Sequence, residues 1–311
     1  MSEIFTRKPY ISETNVLRNI WKNVFGNIGE ESFFNHYYNP ELCVIADTTP
    51  INTSPKNAPV AAGYLVPFGE IICGSISVPC AMLFSIATLP MYRGMGFGTV
   101  IVHRLIELAR EQGYPAVVLC PAEDELFDYY DKRTEFCEWF YVYEQKIEAP
   151  IVKSNVEITE ISPNEYKIIR DELLKKVIYI KHDLPALEYQ ALLCKEMGGG
   201  LFKIGNSCAI VECQPDGAVW IKELLTPGSN YKTPSSINNI KNQIPITEVI
   251  SSIARKFPAS EYTVRTPSRI DMGIDNQQAI QRRFGMLALS ENIKATLSNK
   301  KYAPWYGMAF D

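Results

Sequence analysis

Basic residues do not outnumber acidic ones in this chain: 31 Lys and Arg stand against 35 Asp and Glu, a net charge of −4 over 311 residues. A protein that neutralises nucleic-acid phosphates normally carries a basic face, so this balance argues against a nucleic-acid partner and mildly favours a cationic acceptor. Long apolar runs are also missing. No stretch approaches the ~20 residues of a membrane-spanning helix, and the N-terminus, MSEIFTRKPYISETN, has no apolar signal-peptide core; a cytoplasmic location is expected. Cysteine is present, but not in pairs. Cys43, Cys73, Cys80, Cys120, Cys137, Cys194, Cys208 and Cys213 include no C-x-x-C, and none of the three histidines stands at a zinc-motif spacing from them. Reduced core residues are therefore expected, without disulfides or a metal site. What remains, 46% hydrophobic and 21% charged, is the composition of a soluble globular protein, long enough for two domains.

One stretch organises the rest: MLFSIATLPMYRGMGFGTVIVHRLIELAREQGYPAVVLC, Met82 to Cys120. Met82 to Leu89 is an apolar run of strand length, and Pro90 stops it because proline cannot donate to a sheet ladder. Arg93-Gly94-Met95-Gly96-Phe97-Gly98 follows, one fixed positive charge among three glycines. A helix opens at about Phe97, with Phe97, Ile101, Leu105 and Leu108 on one face. Gly113 closes it, and Ala116 to Cys120 reads as a second strand.

A loop of this kind favours an anion. A helix start carries unsatisfied N–H groups and a partial positive charge, and glycines let a bulky oxyanion approach the backbone. A diphosphate fits, with Arg93 as an added clamp. A Walker A loop requires Gly-Lys-Ser/Thr, whereas Thr99-Val100 follows Gly98 here. A dinucleotide fingerprint requires a third glycine where Thr99 stands and an acidic residue where the next strand ends in Cys120. The spacing of Arg93, Gly96 and Gly98 resembles motif A of the GNAT superfamily of acetyltransferases, Arg/Gln-x-x-Gly-x-Gly/Ala.

That resemblance implies acetyl-CoA as co-substrate and no metal. Its diphosphate would lie on Arg93, Gly94, Met95, Gly96, Phe97, Gly98 and Thr99, and its pantetheine arm against the backbone of Ile86, Ala87 and Thr88, where the strand before the loop splays from its neighbour. It also implies a tyrosine on the next helix that protonates the departing thiolate. Tyr130 matches the Tyr of the family's Phe-Tyr-x-x-x-Gly-Phe pattern, with Tyr129 in the Phe place as the alternative acid. The usual Gly-Phe ending is replaced by the longer Arg133-Thr134-Glu135-Phe136. Glu123, Asp124, Glu125 and Asp128 are candidates to relieve the attacking amine of its proton, and as exposed helix charges they need no such role.

The remainder of the first half reads as two helices over residues 10 to 38, strands at Leu42 to Asp47 and Val60 to Pro67, an irregular hairpin over Phe68 to Pro79, a helix at Glu123 to Lys132 and an aromatic strand at Phe136 to Tyr143. The aromatics of the first two helices read as core; in the superfamily some of them would line the acceptor site. In the second half, helices are expected at Asn164 to Tyr179, with Ile168, Ile169, Leu173 and Val177 buried, and at Leu184 to Met197. Strands follow at Leu201 to Ile204, Cys208 to Cys213 and Ala218 to Leu225, then a helix at Ile246 to Lys256 and strands at Tyr262 to Arg265 and Trp305 to Phe310.

This order repeats that of the first half, but GSNYKTPSSINNIKNQIP stands where the glycine loop should be. The expected architecture is α+β: two GNAT-like domains, 1–150 with the coenzyme site and 151–311 without one, each a mixed, mainly antiparallel sheet flanked by helices. The tandem arrangement, Gly113-Tyr114-Pro115 and Ala122-Glu123 are similar to the mycobacterial enhanced intracellular survival acetyltransferases. Their sterol-carrier-like third domain has no counterpart in the sequence, and their use of the terminal carboxylate raises the same question for Asp311. Two function classes stay open: an N-acetyltransferase acting on a small or peptidyl amine, and a non-catalytic acyl-CoA sensor or assembly module.

Overall fold

The computed structural model describes residues 4–48, 58–149, 153–227, 244–269, 279–291 and 304–310, together with 293 and 297. The chain runs β1 (Phe5–Arg7), α1 (Thr14–Phe25), α2 (Glu30–His36), β2 (Cys43–Asp47), β3 (Ala61–Cys73), β4 (Ile76–Thr88), α3 (Phe97–Glu111), β5 (Ala116–Leu119), α4 (Asp124–Arg133) and β6 (Cys137–Glu148). It continues β7 (Ile158–Glu160), α5 (Pro163–Leu174), β8 (Tyr179–His182), α6 (Leu184–Glu196), β9 (Gly200–Ile204), β10 (Ser207–Cys213), β11 (Val219–Leu225), α7 (Ile246–Lys256), β12 (Glu261–Thr266) and β13 (Ile280–Leu289). Two compact units result. The first comprises Met1–Gly69, Val78–Glu138 and Met286–Ser298; the second comprises Glu70–Ser77, Trp139–Gly285 and Asn299–Asp311. Among the described residues no helix is long and apolar enough to cross a membrane.

In the first unit β1 pairs antiparallel with β2, and β2 antiparallel with β3. β4 and β5, joined through α3, run parallel, and residues 286–289 of β13 lie antiparallel to β5, Met286 opposite Leu119. The four-and-three spacing seen in the sequence does seat α3. Phe97, Ile101, Leu105 and Leu108 are buried and pack with Val44, Ala61, Leu83, Val117 and Leu119 of the sheet. Burying each such side chain stabilises by roughly 1.5–3 kcal/mol. The helix comes so close to β3 that a Cβ built at Gly63 would meet Ile101 Cγ2 at 2.7 Å and Leu105 Cδ1 at 2.8 Å. The hairpin expected over residues 68–79 is built from two long strands, with Gly69 left-handed at φ 118° within the first. β3 runs on to Cys73 and β4 starts at Ile76, because Gly74, with φ 61°, turns the chain in two residues.

The second unit has its own mixed sheet, in the order β6, β12, β11, β10, β9, β7. β11 and β12 are parallel, and their neighbours β10 and β6 antiparallel to them. Val249, Ile250 and Ile253 of α7 cover Val219, Ile221, Leu224 and Val264. Two helices, a strand meander, a helix and a parallel strand thus recur in the order of the first unit.

Two sequence expectations fail in this unit. The helix expected to reach Tyr179 ends at Leu174, and Ile168, expected inside, is 63% exposed. Its buried positions are Tyr166, Arg170 and Leu174, four residues apart. An arginine stands in that row because Glu223 of β11, itself fully buried, accepts from Arg170 Nε at 2.9 Å, Tyr166 Oη at 2.7 Å and Trp305 Nε1 at 2.6 Å. The expected strand Trp305 to Phe310 makes a single bridge, Tyr179 to Trp305, and is otherwise an irregular buried segment. Gly307, at φ 86°, passes so near the ion pair that a Cβ there would lie 2.4 Å from Arg170 Nη2. Asp311, residues 49–57 and residues 228–243 of the stretch facing the glycine-loop position lie outside the described residues.

Candidate functional site

β4 and β5 pair only over Cys80 to Met82, opposite Ala116 to Val118. β5 ends one residue later, whereas β4 continues to Thr88, so the parallel strands part beyond Met82. Ser85 sits in the unpaired length with φ 48°, a left-handed conformation for a non-glycine residue inside a strand. Beneath it lies an aromatic nest: Phe84 is 5.7 Å from Trp21, which stacks on Phe33 at 5.1 Å. Trp21, Phe33, Phe34 and Phe84 are all buried, so these first-helix aromatics are core; Tyr37 and Tyr38 are half-buried.

The glycine loop stands at the end of β4. Leu89 N–H donates to Val60 O at 2.9 Å, a single turn of 3-10 helix covers Pro90–Tyr92, and Phe97 begins α3. Gly94 (φ 78°) and Gly96 (φ 93°) are both left-handed, a geometry that disfavours any side chain. Gly96 is the N-cap and has no side chain with which to satisfy the first-turn N–H groups. A Cβ at Gly94 would meet nothing within 4 Å, so the loop's outer side is open. Phe97 anchors it from below, its ring edge-on to Tyr92 at 6.0 Å. Arg93, Gly94 and Met95 are exposed, and Gly96, Gly98 and Thr99 are half-buried.

Of the three strand residues expected to offer free backbone groups, Ala87 is buried, Ile86 and Thr88 are half-buried, and the Thr88 carbonyl accepts from Arg93 Nε at 3.3 Å. That bond folds Arg93 back over the strand end beside the loop.

The two tyrosines of α4 differ sharply. Tyr130 is buried among Phe127, Leu105 and Phe136 in the core of the unit, and burial pushes its phenol well above the ordinary value. Tyr129 is half-buried and its hydroxyl lies 2.7 Å from Thr99 Oγ1, in the first turn of α3. The Arg133 guanidinium sits 5.4 Å from the centre of the Tyr129 ring. Glu123, Asp124, Glu125 and Asp128 are exposed around the start of α4, where negative charge complements a helix N-terminus. Among the described residues no group of three or more His, Cys, Asp or Glu side chains is placed to hold a metal ion. Sequence reasoning missed Ser85, which carries no signal in its type, and the Thr99–Tyr129 bond, which joins residues on two helices.

Parting parallel strands with an anion-ready glycine turn at their open end define a class of protein. Residues 15–133 match the model of the acetyltransferase (GNAT) family. The whole chain is similar in fold to a GCN5-related N-acetyltransferase from Anabaena variabilis, at 16% identity and a TM-score of 0.65 over 94% of this chain and 74% of that one. It is similar likewise to a GCN5-related N-acetyltransferase from Kribbella flavida, at 13% identity and a TM-score of 0.63, covering 92% and 72%. Eis1 from Mycobacterium abscessus matches at 11% identity and a TM-score of 0.57, covering 95% and 75%. A comparison with curated proteins by sequence returns no match.

Proposed function

We propose that the chain is an acetyl-CoA-dependent N-acetyltransferase that moves an acetyl group directly to the primary amine of a small molecule or peptide, and that its second unit is a GNAT-like domain without a coenzyme site. The observation that carries this reading is the left-handed Gly94 and Gly96 turn at the start of α3, set where β4 leaves β5. The open side of Gly94 and the uncapped first turn fit a diphosphate, held by the N–H groups of residues 94–99 and by Arg93. The thioester arm would run along Ile86, Ala87 and Thr88 into the gap between the strands.

The chemistry follows from that placement. A neutral amine adds to the thioester carbonyl, forming the C–N bond. Backbone N–H groups at the gap stabilise the developing oxyanion, the C–S bond breaks, and the thiolate takes a proton from Tyr130. The phenol is in its proton-bearing form at neutral pH, and the burial that raises it makes it a weak acid that gives up its proton only to the thiolate as that forms. The amine's surplus proton leaves to water or to one of the carboxylates at the start of α4, and Tyr130 regains a proton from solvent before the next turnover.

Two measurements test the reading. Calorimetry with coenzyme A should show binding, and thiol release from acetyl-CoA across an amine panel should show turnover. Tyr130→Phe should cut turnover by roughly 10²–10⁴-fold, the usual worth of a positioned acid, with coenzyme affinity retained. Tight coenzyme binding with no turnover on a broad panel would overturn the enzyme assignment and make the chain a sensor. Absence of any coenzyme binding would overturn both.

A further inference from the structure

Three hydroxyl groups gather at the bare Cα of Gly98. A Cβ built there would lie 3.5 Å from Tyr129 Oη and 4.0 Å from Thr88 Oγ1, and Tyr129 Oη is itself 2.7 Å from Thr99 Oγ1. They come from three elements: the end of β4, the first turn of α3 and the middle of α4. The absence of a side chain at Gly98 leaves the ground between them clear.

The hydrogen count of the closest pair is informative. Thr99 and Tyr129 each bring one hydroxyl hydrogen, and the bond between them uses one. The second remains for an acceptor. Whichever way the bond runs, the pair offers an O–H beside the N–H groups of the α3 first turn. The nearby Arg133 guanidinium, 5.4 Å from the Tyr129 ring centre, adds positive potential. An oxyanion is the acceptor that answers an O–H, backbone N–H groups and two arginines, Arg93 and Arg133, together.

We propose that Tyr129, oriented by Thr99, is a ligand of the coenzyme's diphosphate, so that α4 closes one side of the phosphate site rather than serving the sulfur alone. This deepens the coenzyme reading given under Proposed function and rests on it. It also separates the two neighbouring tyrosines: the half-buried one reads the phosphate, and the buried one stays the candidate proton donor. Thr99 acts as a positioning residue, because its hydroxyl fixes where the phenol points.

The test uses the full-length protein and two ligands, coenzyme A and pantetheine, which lacks the diphosphate. By calorimetry, Tyr129→Phe should weaken coenzyme A about tenfold and leave pantetheine unchanged. Thr99→Val should weaken coenzyme A to a similar extent, and the double variant should be little worse than Tyr129→Phe alone, because Thr99 acts only by orienting the Tyr129 hydroxyl. Thr99→Ser should restore binding. Melting temperatures measured alongside show whether each variant is folded. Undiminished coenzyme A affinity in Tyr129→Phe overturns the proposal. Equal losses for coenzyme A and pantetheine do so as well, since the hydroxyl would then not be reading phosphate. If Tyr129→Phe binds both ligands like the parent but releases thiol from acetyl-CoA more slowly, Tyr129 is the proton donor and the proposal fails, while the coenzyme reading stands. If the unaltered protein binds no coenzyme A, both readings fail together.

Discussion

Burial keeps the Tyr130 phenol neutral beyond the ordinary tyrosine range near 10. The proton donor in the proposed transfer is the neutral form, so deprotonation of Tyr130 removes nothing at physiological pH. A profile of kcat against pH should rise as the acceptor amine loses its proton and then stay level to about pH 10, with no descending limb from this residue. A fall between pH 8 and 9 that disappears in Tyr130→Phe would contradict that assignment. At this scale the glycines were the most legible part of the site. Gly94 and Gly96 announce left-handed backbone by their residue type, and both are left-handed. Ser85 announces nothing, because serine as a residue type gives no sign of left-handed backbone. The two adjacent tyrosines were legible as a pair but not in their division, because α4's orientation decides which one enters the core.

Among the elements, α3 was read correctly for a simple reason. Phe97, Ile101, Leu105 and Leu108 are apolar, and an apolar row on a helix has one sensible destination. The reading of α5 went wrong at Arg170. A hydropathy pattern counts arginine as solvent-facing, and therefore rotated the helix toward Ile168. The guanidinium in fact lies between α5 and β11, 1% exposed, with its Nε on Glu223 and its Nη1 on the Ile180 carbonyl at 2.7 Å. Glu223→Gln should destabilise the protein by about 3–5 kcal/mol, because it leaves that cation buried without its counter-charge. Urea denaturation of the full chain measures the loss; a change below about 1 kcal/mol would mean that the pair is hydrated in solution. Pro79 is a milder case of the same limit. The expected hairpin was ended at this proline, yet it stands exposed within β4, where Val78 and Cys80 on either side are buried.

Across the whole molecule, the cysteines provide a map of what opens. All eight are free thiols. Cys43, Cys80, Cys194 and Cys208 are buried, and burial raises the thiols of Cys43, Cys194 and Cys208 above their usual range, which suppresses the reactive thiolate. Cys137 is exposed, although its thiol donates to the Leu287 carbonyl. A thiol reagent under native conditions should therefore label Cys137 first, the half-buried Cys73, Cys120 and Cys213 more slowly, and the four buried positions only at the rate of unfolding. A fast phase that survives Cys137→Ser would show that the core opens locally. The recurring order of helices and strands was legible, since in each unit the strands and the helix between the parallel pair follow one another along the chain. The strand that pairs with β5 was not, because it arrives from far downstream.

That last pairing has a consequence for how the molecule is made. The edge of β5 is covered by residues 286–289, and Ser290 N–H adds a bond to Pro115 O at 2.9 Å. A ribosome elongating at about 5–20 residues per second would expose the partly built sheet for on the order of ten seconds before its final strand emerges. During that interval an unpaired strand rich in valine is available to any neighbouring nascent chain. Chaperone occupancy during translation, more than the stability of the finished protein, would then set the yield of active molecules.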